Sequence, residues 1–207
     1  SWDVSNVTGM SYMFYESQFN QDISSWDVSN VKNMKGLFAV SKFNKDISSW
    51  DVSNVIDMNI MFNSSQFNQD ISTWDTSRIT NADSMFYQAQ SFNCGLLRYY
   101  QDDRRDNDKT PRQNINTKVV TVLGKTYIAW DVSKFTNMFE MFMNCHAFNN
   151  DISNWNTSNV TVGDAMFQAC SFNCGNPYGK APSDTISGSL PSRNIDTKMV
   201  TLNTGTQ

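Results

Sequence analysis

Four cysteines, one histidine and a regular series of aspartates are the side chains of this sequence that could do chemistry. The cysteines are Cys94, Cys145, Cys170 and Cys174, and the histidine is His146. No C-x-x-C spacing occurs and no second ligand lies near the histidine in sequence, which disfavours a zinc site. No serine or carboxylate stands out from the repeating background as a partner for a histidine base. We therefore expect no catalytic residue, no cofactor and no enzymatic activity.

The repeating background is the dominant feature of the chain. Tryptophan returns every 24 residues at the start, and each tryptophan begins a similar unit: Trp2, Trp26, Trp50, Trp74, Trp130 and Trp155. Self-similarity at a fixed period of this size is typical of stacked architectures in which each coil contacts only its neighbours. An enzyme site needs unlike residues brought together once, whereas this sequence offers the same few residues many times.

The apolar positions of one unit indicate its local structure. The first two alternate as in a short strand, and later ones recur at three-to-four spacing, which suits a short helical or 3₁₀ turn. The sequence therefore predicts one elongated domain, a repeat solenoid with a short strand and a short helical or 3₁₀ turn in each coil of 24 to 25 residues. Stacking should place tryptophan on tryptophan and Phe19 on Phe43 on Phe67.

The domain organisation follows from the repeat boundaries. We predict four tandem repeats over 1–95, an inserted loop over 96–114, a short repeat plus two full repeats over 115–175, a second inserted loop over 176–190 and the start of a further repeat over 191–207. In the short repeat, Ile115 stands where other units have tryptophan. Neither end resembles a polar capping repeat, so we expect a segment of a longer array.

Both inserted loops leave the repeat after the same F-N-C-G sequence, so they should emerge on one side. Insertions confined to one face often mark the binding side of a repeat protein. The candidate contact residues are Arg98, Tyr99, Tyr100, Arg104 and Arg105 in the first loop, and Tyr178 and Lys180 in the second.

The cysteines fall into two pairs. Cys145 and Cys170 hold the same position in adjacent units, where their Cα atoms should be about 5 to 6 Å apart, within disulfide range. Side chains at identical positions of a parallel stack point the same way, so a buried thiol pair and a disulfide both stay open. Cys94 and Cys174 are about three coils apart, so they are free or pair outside this segment.

Polar side chains also recur in register. Stacked asparagines such as Asn20, Asn44 and Asn68 can hydrogen-bond along the stack, and stacked aspartates must accept backbone N–H groups of their own turns or repel one another. We expect turn-capping aspartates; calcium is the alternative, although the glycine-rich calcium repeat is missing. Sequons for N-glycosylation occur at Asn6, Asn63, Asn156 and Asn159.

Charge and hydropathy exclude two classes of partner. The net charge is −4, and the nearest basic cluster, Arg104-Arg105, is flanked by aspartates, which argues against binding nucleic acid. No apolar run of 18 or more residues is present, so we expect no membrane insertion of this segment.

The pattern V-x-x-M-x-x-M-F-x-x-[SAC]-x-x-F-N-x-D-I-S-x-W-[DN]-[VT]-S-N-V resembles the BspA-like surface repeat family of bacterial, mycoplasma-type and microbial-eukaryote surface proteins. It covers Ser1–Asn93 and Trp130–Asn173 closely. The resemblance implies a leucine-rich-repeat-like, right-handed solenoid at the cell surface or secreted, with adhesion to a protein or glycan ligand. A structural subunit of an extracellular filament, sheath or appendage, assembled from copies of itself, is the alternative.

Overall fold

The computed structural model describes residues 2–94, 115–122, 124–148, 150, 152 and 154–170. Successive tryptophan-led units lie side by side, and one residue of each forms a parallel bridge to the next. The bridged residues, in order, are Gly9, Asn33, Asp57, Asn81, Asn137 and Val162. The unit that begins at Trp74 is therefore followed directly by the unit that begins at Trp130.

Main-chain hydrogen bonds between neighbouring units come from every second residue. The N–H groups of Met34, Gly36, Phe38 and Val40 donate to the carbonyls of Asp57, Asn59, Met61 and Asn63 at 2.7–2.9 Å. The amides in between bond within their own unit, as Leu37 does to Met34 at 3.1 Å. This alternation satisfies both sets of backbone donors without a helix or a long strand.

Left-handed residues make the alternation possible. The tenth and fourteenth residues after each tryptophan have φ between 50° and 61°, and they are Tyr12 and Glu16, Gly36 and Val40, Ile60 and Ser64, Ser84 and Gln88, Glu140 and Asn144, Ala165 and Ala169. A positive φ at the third residue of a turn is the type II arrangement, and it interrupts any helix. Each unit thus contains consecutive β-turns.

The local elements therefore differ from those that the sequence predicts. Among the described residues no helical or 3₁₀ turn occurs, and each unit contributes a single bridged residue where a short strand was expected. The physical reason is that every second N–H group donates to a carbonyl of the neighbouring unit. These N–H groups are therefore not available for the hydrogen bonds within a helix.

Aromatic ladders form the core. Ring centroids are 5.4–5.8 Å apart along Phe14, Phe38, Phe62, Phe86, Phe142 and Phe167. A second ladder, Phe19, Phe43, Phe67, Phe92 and Phe148, has spacings of 6.1–6.4 Å and packs 3.9–4.4 Å from the first within each unit. The predicted stacking of Phe19, Phe43 and Phe67 is confirmed. Each fully buried ring contributes about 1.5–3 kcal/mol.

The polar ladders behave as the sequence predicts. Asn44 N–H donates to Asn20 Oδ1 and Asn68 N–H donates to Asn44 Oδ1, both at 2.9 Å, so the asparagines bond along the stack. The aspartates accept the N–H of the serine two residues on, for example Asp27 from Ser29 at 3.1 Å. These aspartates therefore cap turns, as predicted.

The strands of the structure lie between the units of Trp74 and Trp130. Strand β1, Lys118–Val122, pairs antiparallel with strand β2, Lys125–Ala129, and Gly124 has a φ of 79° in the turn between them. We call this element the hairpin. A glycine with positive φ in a two-residue connection is a common way to close one.

The hairpin corrects the prediction of a short repeat from Ile115. The Ile115 carbonyl accepts Trp155 Nε1–H at 2.7 Å, as the Ile23 carbonyl accepts Trp50 Nε1–H at 3.1 Å. Ile115 therefore occupies the place of the isoleucine in D-I-S and not that of a tryptophan. The residues that follow it form the hairpin and add no unit to the stack.

Replacement of Val40 by glycine should stabilise the protein. Val40 is 44% exposed and has a φ of 57°, where a side chain costs about 1–2 kcal/mol. Glycine relieves this strain, but the larger entropy that it loses on folding offsets about 0.5–1 kcal/mol of the gain. Val40→Gly should therefore raise the free energy of unfolding by up to about 1 kcal/mol, as measured by urea titration. Ile56→Gly is the control, because Ile56 is similarly exposed at 39% without a positive φ, and it should destabilise. Equal losses in both variants would contradict the left-handed assignment.

Acidification should destabilise the protein through its turn caps. Hydrogen bonds from the Ser5 side chain and backbone hold the pKa of Asp3 below its usual value, and Ser24 and Ser29 do the same for Asp22 and Asp27. A lowered folded-state pKa gives stability that is present above about pH 4 and is lost as pH falls further. The melting temperature should therefore drop steadily from about pH 5 to about pH 2.

A variant with asparagine at all three positions is the control for this acid effect. An amide oxygen keeps the cap without titrating, as Asn156 does for Ser158 at 3.1 Å. The melting temperature of this triple variant should fall less steeply than that of the unchanged protein as the pH is lowered. An identical pH profile in the two proteins would show that the caps do not cause the acid response.

Candidate recognition site

The hairpin lies over the starts of two repeat units. Tyr127 Oη–H donates to the Thr73 carbonyl at 2.6 Å, and Lys125 Nζ lies 3.1 Å from Asp51 Oδ2. At its base, Trp130 N–H donates to the Trp74 carbonyl at 3.0 Å. These contacts hold β2 across the units of Trp50 and Trp74, so the hairpin and the stack form two walls of a cleft.

The cleft encloses a cavity of about 450 Å³. Its floor is the start of the Trp50 unit together with Asp75, and its roof is the turn end of the hairpin. The lining residues are Ser48, Ser49, Trp50, Asp51, Val52, Ser53, Asp75, Val122, Lys125, Thr126 and Tyr127. The size and the mixture of apolar walls with a few polar groups are typical of small-molecule sites.

The electrostatics of the cleft couple its two walls. Burial raises the pKa of Asp51, but hydrogen bonds from Ser53 and the nearby Lys125 ammonium outweigh burial and leave it lowered. Burial raises the pKa of Tyr127, and the Asp75 and Asp51 carboxylates raise it further. The Asp51 carboxylate and the neutral Tyr127 phenol therefore lie in the cleft beside Asp75 and Lys125.

The outer face of the hairpin is apolar. Val119 is 72% exposed and Ile128 is 47% exposed, and they are direct partners in the strand register. Beside them, the Thr121 and Thr126 hydroxyls are 3.0 Å apart. The hairpin therefore has an open apolar side as well as a side that faces the cavity.

The candidate disulfide pair consists of thiols in the structure. Cys170 Sγ donates to the Cys145 carbonyl at 3.0 Å, and Cys145 Sγ donates to the Ala89 carbonyl at 3.1 Å, so both side chains point the same way along the stack. Burial raises the pKa of Cys145 and of Cys94, which keeps them protonated and poorly nucleophilic. Cys174 lies outside the described residues.

The sequons differ in accessibility. Asn6, Asn156 and Asn159 are exposed, and Asn63 is half-buried. The Asn159 Nδ2, to which a glycan would attach, donates to the Ser133 carbonyl at 2.6 Å. A glycan there would replace a contact between neighbouring units.

Other predicted residues fall elsewhere. His146 is half-buried, and in the part of the chain that the structure describes no three histidine, cysteine, aspartate or glutamate side chains are placed to share a metal ion. The predicted contact residues lie outside the described residues: Arg98, Tyr99, Tyr100, Arg104, Arg105, Tyr178 and Lys180.

The hairpin carries the site residues that the sequence-based prediction missed. A signal for it was present, because K-V-V-T-V and K-T-Y-I-A are runs rich in β-branched and aromatic residues on either side of a Leu-Gly pair. The similarity of I-N-T-K-V-V-T to the repeat sequence W-N-T-S-N-V-T concealed that signal. The cleft residues of the stack hold ordinary repeat positions and have no signal of their own.

Removal of the Tyr127 hydroxyl should loosen the hairpin. Tyr127→Phe keeps the ring but deletes the bond to the Thr73 carbonyl, at a cost of about 1 kcal/mol. Amide hydrogen exchange in β1 and β2 should speed up, while exchange in the repeat units stays unchanged. Tyr87→Phe is the control, since within the described part of the chain the Tyr87 hydroxyl accepts a hydrogen bond only from its neighbour Gln88, at 3.2 Å. Unchanged hairpin exchange would mean that Tyr127 does not hold the hairpin down.

Comparisons with known proteins return one family. The family model described as "Mycoplasma protein of unknown function, DUF285" matches residues 1–100 and 113–177, which is most of the chain. No curated protein and no solved structure matches it. Within the described ranges, no helix is long and apolar enough to cross a membrane.

Proposed function

The chain belongs to the family described as Mycoplasma protein of unknown function, DUF285, and we propose that it is a non-enzymatic recognition protein. Its ligand is an extracellular protein or glycan, and its place is the cell surface or the extracellular space. Nucleic acid is not among the proposed partners, in keeping with the net charge of −4.

The proposal extends to the architecture. We infer a right-handed, leucine-rich-repeat-like solenoid of the BspA-like surface repeat type. The parallel bridges from Gly9 to Val162 and the phenylalanine ladder from Phe14 to Phe167 support it, because both continue through every unit of the described part. Such an array offers an extended surface and a rigid support for segments inserted between its units.

The cleft under the hairpin is the observation that carries the proposal. Along the stack, each unit repeats the polar groups of its neighbour. Such repeated groups stabilise the stack but do not distinguish one ligand from another. At the hairpin, Lys125 and Tyr127 meet Asp51 and Asp75, so three different types of polar side chain line one cavity. Specific recognition needs such a unique set of groups on a rigid scaffold.

A structural subunit remains the second candidate, and the outer face of the hairpin favours it. Val119 and Ile128 form an exposed apolar pair, which could pack against another copy of the chain. In that case, the hairpin is an assembly contact and no foreign ligand is needed.

Deletion of the hairpin separates the two candidates. Thr117 Oγ1 donates to the Trp130 carbonyl at 2.8 Å, so the two ends of the hairpin lie together and a short Gly-Ser link can replace residues 118–129. For a recognition protein, the full chain should sediment as a monomer and bind members of an array of extracellular matrix proteins and glycans. Deletion should weaken that binding by about tenfold or more.

The double variant Val119→Thr and Ile128→Thr is the matched control for the deletion. It keeps the β-branched shapes of the strands and the cavity but removes the apolar outer face. It should leave binding to the array intact. Self-association of the full chain that this variant abolishes, without binding to any array member, would favour the structural subunit and overturn the recognition function.

A further inference from the structure

The charges of the cavity leave little room for a charged guest. Lys125 Nζ pairs with Asp51 Oδ2, and the other oxygen of Asp51 accepts the Ser53 N–H and hydroxyl at 3.1 and 2.6 Å. A cationic guest would meet the Lys125 ammonium, and an anionic guest would meet the Asp75 carboxylate. The Lys125 side chain is 76% exposed, so solvent screens its charge. Because Lys125 and Asp51 are paired with each other, Asp75 is left as the acceptor for a guest, and a neutral guest with O–H donors satisfies it without disturbing the pair.

The hydrogen-bonding groups of the cavity call for a guest rich in hydroxyls. Asp75 accepts the Ser77 N–H at 3.1 Å with one carboxylate oxygen, and the other has lone pairs to offer. Tyr127 donates its proton to Thr73, so its oxygen is left as an acceptor. Ser48 also lines the cavity, and a serine hydroxyl can donate or accept. A guest that donates O–H groups would satisfy these acceptors.

The remaining walls are apolar. Val122 lines the hairpin side of the cavity together with Tyr127 of β2. Trp50 and Val52 also line the floor, but they are only 4% and 1% exposed and offer a guest little surface. A guest should therefore combine hydroxyl groups at its edge with C–H faces that pack on apolar side chains.

We propose that the cavity under the hairpin binds a neutral mono- or disaccharide unit of an extracellular glycan. A sugar ring is uncharged, carries hydroxyls around its edge and has C–H faces, and about 450 Å³ accommodates one. Asp75 accepts hydroxyls of the sugar, Tyr127 and Ser48 complete the polar contacts, and Val122 packs on its ring. The inference rests on the proposed function and names the ligand of the same site.

Saturation-transfer difference NMR on the full chain tests the proposal. The probes are glucose, galactose, mannose, N-acetylglucosamine, maltose and lactose, with butylammonium and acetate as charged probes. At least one sugar should receive saturation, and neither charged probe should compete with it. Asp75→Asn should weaken the binding sugar by about tenfold, since an amide is a weaker acceptor than a carboxylate.

The matched control is Asp131→Asn. Asp131 caps Ser133 at 2.9 Å as Asp75 caps Ser77, but it does not line the cavity, and asparagine preserves both caps. Sugar binding should be unchanged in this variant. Equal weakening in both variants, saturation of no sugar, or stronger binding of butylammonium or acetate would overturn the saccharide site.

The outcomes also separate this inference from the proposed function. Hairpin-dependent binding of array proteins without any sugar binding would overturn the saccharide site and leave the recognition function standing. Self-association through Val119 and Ile128 with no array binding would overturn the recognition function. A sugar that binds the full chain, but binds the hairpin-deleted chain equally well, would place its site elsewhere and reject the cavity.

Discussion

The structure depends on the hydrogen bonds that every second main-chain amide makes to the next unit. They require residues with positive φ at two places in each unit, and a side chain there costs about 1–2 kcal/mol. The chain accepts that cost at residues as unsuited as Val40 and Ile60, with φ of 57° and 50°. Inter-unit hydrogen bonds of 2.7–3.1 Å and the packing of two aromatic ladders offset this strain. The backbone thus fixes the stack, and residues of many types occupy the left-handed positions.

The ladders and caps could be predicted from the sequence because they depend only on the repeat period. Once Phe19, Phe43 and Phe67 recur at equal spacing, stacking follows, and an aspartate two residues before a serine is a local turn signal. The left-handed turns could not be predicted. Glycine normally marks a positive φ, yet Gly36 is the one glycine at these twelve positions. The tertiary bonds override the local preference, and the three-to-four spacing of apolar residues then resembles a helix.

The cleft was also hidden, for a different reason. Asp51 and Asp75 are ordinary members of a repeating column, and what distinguishes them is the hairpin above them, which is attached by Lys125 and Tyr127. An inserted segment creates a unique set of groups from common ones. This division of labour, with a uniform stack as support and an insertion as the specific element, is the physical basis of the proposed recognition function.

Amide hydrogen exchange of the native protein tests the inter-unit bonding most directly. Ile60 and Ser64 are half-buried and lie in turns, where exchange is normally fast, but their N–H groups donate to the carbonyls of Asp83 and Tyr87 at 2.8 and 2.7 Å. Both amides should exchange as slowly as that of the fully buried Phe62. Exchange of Ile60 and Ser64 as fast as that of the exposed Lys45 would contradict this expectation, because the bonds that hold the stack together would then be absent.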